Sequence, residues 1–250
     1  MDGTFYLGDR LLPGAAQFVA HLRRRALPFL FLTNNSSGHR TQYADKIRRL
    51  GIALEDEQVF TSGEATTIWL QDQTPRGRIF LAGTPALEDE FLRGGYHLVR
   101  DDPDWVVLGF DQTLTYAKLW RLCDLVRAGV PYLATHPDFN CPTENGFMPD
   151  TGAMIAFIEA STGRRPDVIV GKPNGPIVEA VARKIGVPVE SMAMIGDRLY
   201  TDVALGVHGL VTALVLCGET RRGDLDGSPH QPDLVVEDLA ELTAFLQSRR

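Results

Sequence analysis

Short apolar runs alternate with amphipathic stretches along nearly the whole chain. "PFLFLT" at 28–33 is followed by "RTQYADKIRRLG" at 40–51, and "VFTS" at 59–62 by "EATTIWLQ" at 64–71. A brief apolar run suits a strand covered on both faces, and apolar residues three and four apart suit a helix laid against it. Gly51 stands where a left-handed helix end favours glycine. The alternation resumes with "RIFLAG", "ALEDEFLRGG", "WVVLGF", "YAKLWRLCDLVRAG", "PYLAT" and "GAMIAFIEASTG". A last series holds "DVIVG", "PIVEAVARKIG", "SMAMIGD", "TALVLCG" and "DLAELTAFLQ", with Pro176 placed for a first helical turn. Strand and helix taking turns in this way predict an α/β protein with parallel strands. The polar stretch "QDQTPRGR", with Pro75 and Gly77, reads as a linker, and a second break falls near Arg164. The two breaks allow the middle third to form a module of its own.

Composition narrows the function classes. The chain has 250 residues, 44% hydrophobic and 23% charged, enough to bury a sizeable core. Its net charge of −7 argues against a sequence-independent grip on nucleic acid, which needs a basic face to displace counterions. The longest apolar runs are too short or too interrupted to span a bilayer, so no membrane partner is expected. No basic stretch followed by an apolar run precedes the fold, which points to the cytoplasm. Cys123, Cys141 and Cys217 are odd in number and widely spaced, and form neither a disulfide framework nor a zinc site.

In open parallel sheets, ligands bind where strands lead into helices. Thr33, Asn34 and Asn35 follow "FLFL"; Lys172 follows "DVIVG"; Asp197 follows "MAMIG", with Asp202 five residues on. Asp2 would follow a first strand. Taken singly, "TNNSS" is a helix-capping loop, "GDRLYTD" a turn with a helix-dipole carboxylate, and a lysine a surface charge. Lys172 differs because Pro173 holds it extended at a strand end. Together the carboxylates, hydroxyl and lysine suit a phosphate ester. Carboxylates hold Mg²⁺ beside a substrate phosphate, while hydroxyl, backbone N–H and ammonium meet phosphoryl oxygens. Zinc-hydrolase spacing, G-x-S-x-G and the P-loop pattern are all absent.

"DGTFYLG", "LTNNSS", "GKP" and "IGDRLYTD", in this order, resemble the haloacid dehalogenase-like phosphatase superfamily. "ATHPDFNCPTENGFMPDTGA" followed by "TGRRPDVIVGKP" is similar to its NagD-like or 4-nitrophenylphosphatase-like branch, so the resemblance covers nearly the whole chain. It implies a Rossmann-like core, residues 1–72 and 166–250, with an inserted α/β cap over 73–165. It implies Mg²⁺ as cofactor and a small-molecule phosphate ester as substrate, with a homo-oligomer left open. The roles it implies are catalytic for Asp2, Thr33 and Lys172, and phosphate-binding for Thr33, Asn34, Asn35 and Lys172. Asp197 and the carbonyl of Asp2 become metal ligands, and Asp202 an outer partner that orients them.

The family's first motif is D-x-D-G-T, whose first Asp attacks phosphorus and whose second moves the proton. Gly3 and Thr4 match Asp2 to the second Asp, and the nucleophile falls one place before Met1. The resemblance sets the nucleophile's strand between the one ending at Thr33 and the one ending at Gly196. A chain that truly begins at Met1 is therefore expected to be unstable and inactive. Asp2 as the nucleophile itself is the alternative. A phosphomutase or phosphonate hydrolase is disfavoured by the position of the insert. A catalytically inactive phosphate-binding or regulatory protein is the competing function. Asp150 in "MPDTG" stands where the branch usually has glycine. UMP, sugar phosphates, phosphoglycolate and 4-nitrophenyl phosphate are candidate substrates, with His136, Asp138, Asn140 and Glu144 as candidate contacts to them.

Overall fold

The apolar runs become strands and the periodic stretches become helices in the computed structural model, which describes residues 1–143 and 146–248. In chain order the first elements are β1 (Tyr6–Leu7), β2 (Arg10–Leu11), α1 (Ala15–Arg24), β3 (Phe31–Thr33), α2 (Arg40–Arg49), β4 (Val59–Thr61) and α3 (Ser62–Gln73). There follow β5 (Arg78–Ala82), α4 (Pro85–Arg93), β6 (His97–Leu98), β7 (Trp105–Leu108), α5 (Tyr116–Arg127) and β8 (Tyr132–Ala134). Then come β9 (Asn140–Thr143), β10 (Gly146–Pro149), α6 (Thr151–Thr162), β11 (Val168–Ile169) and α7 (Gly175–Ile185). The chain closes with β12 (Ala193–Gly196), β13 (Val211–Val215), β14 (Leu234–Val236) and α8 (Leu239–Ser248). Glu144 falls outside the described residues.

The chain divides into two compact units. One comprises Met1–Leu32, Tyr43–Val59 and Val181–Arg250; the other comprises Thr33–Gln42 and Phe60–Ala180. The first unit carries the parallel sheet β12–β13–β14. Phe5, Phe18, Val19, Phe31, Ile47, Val215, Val236 and Leu242 form its apolar core. Phe5 meets Phe31 edge-on with ring centroids 4.7 Å apart. Burying each such side chain contributes about 1.5–3 kcal/mol, so this cluster supplies much of the unit's stability. Among the described residues, β3 pairs with β4, and no ladder joins either to β12.

The second unit is built on a five-stranded sheet in the order β11–β8–β7–β5–β6, with every neighbouring pair parallel. Val106, Val107 and Leu108 of β7 and Leu133 and Ala134 of β8 are wholly buried, because successive side chains point to opposite faces and both faces are covered. Its helices start on side-chain caps. Thr61 accepts from the N–H of Glu64, Thr84 from Leu87, Thr115 from Lys118 and Asp150 from Thr151. β9 and β10 pair antiparallel. "QDQTPRGR" proves shorter as a connection than its composition suggests. α3 runs on to Gln73, since nothing before Pro75 breaks a helix, and β5 starts at Arg78.

All three cysteines are free thiols. No helix among the described residues is long and apolar enough to cross a membrane.

Candidate active site

In the first unit the "DGT" segment is a tight turn. The Phe5 N–H donates to Met1 O (2.8 Å) and the Gly3 N–H to Tyr6 O (2.9 Å), with Gly3 at φ +74°. Glycine is required twice over there. The angle is left-handed, and a Cβ would collide with the Asp197 carboxylate. That carboxylate stands at the end of β12 and is buried. The Thr4 hydroxyl donates to its Oδ1 (2.6 Å) and the Glu219 N–H to its Oδ2 (3.0 Å). From the β13 side, Gly218 also comes so close that a Cβ would strike Asp197 and the carbonyl of Gly3. Asp202 is buried beside Gly196, where it accepts from the Arg198 N–H (3.3 Å).

Asp2, Asp197 and Asp202 are thus carried by one unit, Asp197 against the "DGT" turn and Asp202 against the end of β12. The Asp2 side chain keeps open surface, yet its carboxyl lies above the ordinary carboxylate value. The first cause is desolvation by the protein around it; Lys46 and the α-amino group oppose the rise, Asp197 adds to it, and Arg198 opposes it. A carboxyl held up in this way is better suited to carry a proton near neutrality. Lys46 lies over the Tyr6 ring at 4.3 Å. Burial pushes the Cys217 thiol up, and its Sγ–H points to Gly3 O (3.8 Å).

The remaining candidates lie in the second unit. Thr33 Oγ1 accepts from the Asn35 N–H (3.2 Å), which leaves the hydroxyl its own proton to donate. Asn35 is committed to its turn, its Oδ1 accepting from the N–H (2.9 Å) and hydroxyl (2.7 Å) of Ser37. Asn34 clamps Lys172 at both backbone groups. Its Oδ1 accepts from the Lys172 N–H (2.9 Å) and its Nδ2 donates to Lys172 O (3.0 Å). Lys172 is only 7% exposed, and therefore no ordinary surface lysine. The Lys172–Pro173 peptide is cis.

Two groups beside these candidates had little or no signal in the sequence. Asp138 appears there as a loop residue; in the structure its Oδ1 accepts from Asn34 Nδ2 (3.1 Å). Glu219 had no signal at all. Its N–H holds Asp197, and its carboxylate takes the Tyr200 hydroxyl (2.7 Å) and pairs with Arg198 (2.8 Å). Asp150, the departure from the usual glycine, caps α6 and faces His136 Nε2 at 2.9 Å.

The carboxylates cradled by glycine backbone suit a hard cation. Their donors are oxygens, and the missing Cβ atoms leave room for close approach. Parallel strands ending in such groups define a Rossmann-like α/β enzyme. The chain belongs to the haloacid dehalogenase-like hydrolases, in the branch of NagD-like and 4-nitrophenylphosphatase-like proteins. Residues 1–97 match the family of haloacid dehalogenase-like hydrolases, and residues 169–242 a second described as HAD-hydrolase-like. The 5'-nucleotidase YutF of Bacillus subtilis is 33% identical over 247 residues, covering 98% of this chain and 96% of that protein. An acid sugar phosphatase of Staphylococcus aureus is 33% identical over 249 residues, covering 99% and 96%. The crystal structure of a 4-nitrophenylphosphatase from Thermotoga maritima superposes with a TM-score of 0.93 at 50% identity, covering 98% of this chain and 94% of that one.

Proposed function

We propose that this phosphoric monoester hydrolase acts on small phosphomonoesters, of the sugar-phosphate, nucleoside-monophosphate or 4-nitrophenyl-phosphate type, with Mg²⁺ as cofactor. The observation that carries the reading is the Asp197 carboxylate, buried and approached by Gly3 and Gly218 with no side chain between. Relatives named for a nucleotide, for sugar phosphates and for 4-nitrophenyl phosphate support this substrate range.

Asp197 and the carbonyl of Asp2 would hold the cation, and Asp202 would orient them; bound there, it supplies positive charge for a phosphoryl oxygen. The Thr4 hydroxyl and the Glu219 N–H keep the Asp197 carboxylate in a single orientation. As the family's nucleophilic carboxylate takes the phosphoryl group to form an aspartyl-phosphate, the Asp2 carboxyl, lifted by desolvation, would give its proton to the leaving oxygen and then take one from the water that releases phosphate. Thr33 donates its hydroxyl hydrogen to the phosphoryl group, with the N–H of Asn34 beside it, and Asn35 shapes their turn. Lys172 supplies a fixed cation, and the Asn34 clamp sets the backbone it grows from. Residues 73–165 serve as the cap that restricts the reaction to small molecules. Free thiols throughout support a cytoplasmic setting.

Phosphate release measured across a panel of these esters, with EDTA and then with Mg²⁺ restored, tests the reading. Mg²⁺-dependent release from at least one class is expected. Release unaffected by EDTA would remove the metal role. Phosphate binding without turnover of any ester would favour a non-catalytic phosphate-binding protein.

A further inference from the structure

His136 is completely buried, and each of its ring nitrogens faces a polar group. Nε2 lies 2.9 Å from Asp150 Oδ1, while Nδ1 lies 3.0 Å from Thr135 Oγ1 and 3.4 Å from Ser62 Oγ. No part of the proposed chemistry uses this ring. Asp150 Oδ1 also accepts from the Thr151 N–H (2.6 Å) and hydroxyl (3.2 Å) at the start of α6. An oxygen that takes several donors acts as an ionised carboxylate, which only accepts, so Nε2 carries the hydrogen.

The other nitrogen can then be settled by counting protons. The Ser62 hydroxyl spends its one proton on the carbonyl of Asn34. It has none for Nδ1. Thr135 therefore donates to Nδ1, Ser36 donates to Thr135 (3.0 Å), and the Phe110 N–H donates to Ser36 (3.0 Å). Each proton is used once and every member is buried. A protonated ring would make Nδ1 a donor, with Thr135 Oγ1 (3.0 Å) or the more distant Ser62 Oγ (3.4 Å) as its acceptor, and would give up the shorter bond from Thr135 or reverse it.

This chain touches the phosphate-side loop at two points, Asn34 O through Ser62 and the Ser36 hydroxyl through Thr135. It also backs the lysine. The Gly171 N–H donates to Thr135 O (2.8 Å), and a Cβ at Gly171 would collide with His136. Two residues beyond the ring, Asp138 takes Asn34 Nδ2, and its own carbonyl accepts from the Gly152 N–H (2.8 Å) in α6.

We infer that His136 and Asp150 are a positioning pair: a neutral ring, protonated at Nε2, transmits the fixed start of α6 to the Thr33–Asn35 loop and to Lys172. The inference rests on the reading that this loop and Lys172 bind a phosphoryl group. Neither side chain touches substrate. Their effect is to hold Asn34 in the single orientation that clamps Lys172.

Two measurements on the full chain test it. Nitrogen-15 spectra of histidine-labelled protein, assigned with His136→Gln, should show the His136 ring neutral with its proton on Nε2. A proton on Nδ1 would overturn the chain's direction and the inference with it. Inorganic phosphate affinity, by calorimetry, should fall about tenfold in Asp150→Ala and His136→Ala, the effect of one net hydrogen bond. Asp150→Asn should stay within about threefold of the parent, since its amide oxygen still accepts from Nε2–H and the Thr151 N–H. Thr115→Ala, which removes the cap of α5 alone, should leave affinity unchanged. Equal losses in Thr115→Ala and Asp150→Ala would make the effect one of stability only, and refute the positioning role. Lys172→Met separates the two layers. If it leaves phosphate affinity intact, the phosphate reading itself fails; if it weakens binding while Asp150→Ala and His136→Ala do not, only the positioning role fails.

Discussion

Lys118→Met should destabilise the second unit far more than its place on a helix surface suggests. Asp111, at the end of the β7 run, has a side chain with no exposed surface. Its Oδ1 accepts from the N–H (2.8 Å) and hydroxyl (2.7 Å) of Thr113, and its Oδ2 from Lys118 Nζ at 2.7 Å. Methionine keeps the aliphatic stem of Lys118 but removes the positive charge that faces a buried carboxylate. Breaking one side of such a pair costs about 3 kcal/mol, whereas a surface pair is worth less than about 1. Asp111→Asn should cost less. It keeps the local turn, and Lys118, 24% exposed, retains water and the carbonyl of Gly83 (3.1 Å). Trp69, Trp105 and Trp120 are the chain's three tryptophans and all lie in this unit, so fluorescence reports its unfolding directly. At a slope of roughly 2 kcal/mol per molar urea, the midpoint should move down by about 1.5 M in Lys118→Met. Part of the loss should return in Lys118→Met/Asp111→Asn. A midpoint within experimental error of the parent, or no recovery in the double variant, would refute the reasoning.

Three further outcomes are expected. Gly218→Ala should lower stability, because a Cβ would collide with the buried Asp197 carboxylate and with the carbonyl of Gly3, and the protein that folds should lose at least about tenfold in Mg²⁺ affinity by displacing Asp197, as disturbed partners of metal ligands do; calorimetric titration reads it. Lys172→Met should lower turnover by about a hundredfold or more, the scale of one lost electrostatic stabiliser, and steady-state release of phosphate from the best ester of the panel reads it. The Asp104 carboxyl is held below its ordinary value, chiefly by the Arg78 N–H; desolvation opposes this, and the Arg78 guanidinium adds to the lowering. A lowered value means stability that is present above the ordinary carboxylate range and lost as pH falls through the lowered one. Asp104→Asn should therefore remove less than about 1 kcal/mol at neutral pH and nothing at strongly acid pH, measured by urea unfolding at each.

The local layer of this protein is written in short stretches. "WVVLGF" becomes β7 because three apolar residues in a row can be covered on both faces of a sheet. "RTQYADKIRRLG" becomes α2 with Gly51 at φ +93°, since only its apolar positions need a neighbour and its end needs glycine. "TNNSS" forms its turn from its own side chains, Asn35 holding Ser37. The order of the motifs carried the family, since a hydrolase of this kind assembles its chemistry from the ends of strands far apart in the chain.

Other features have no local cause. Thr4 reaches Asp197 across 193 positions and Asn34 reaches Lys172 across 138. The sheet order β11–β8–β7–β5–β6 likewise joins runs that nothing in the sequence marks as neighbours. Asp150 reads as an irregularity in a motif until the fold sets it against His136. Glu219 reads as surface charge until its N–H is found on Asp197. Periodicity depends on residues three or four apart and survives in any context, so the sequence by itself determines strands, helices, turns and the kinds of reactive group. A hydrogen bond acts over about 3 Å, and a missing Cβ matters only where another backbone arrives, so the partners of those groups exist only once the chain has closed.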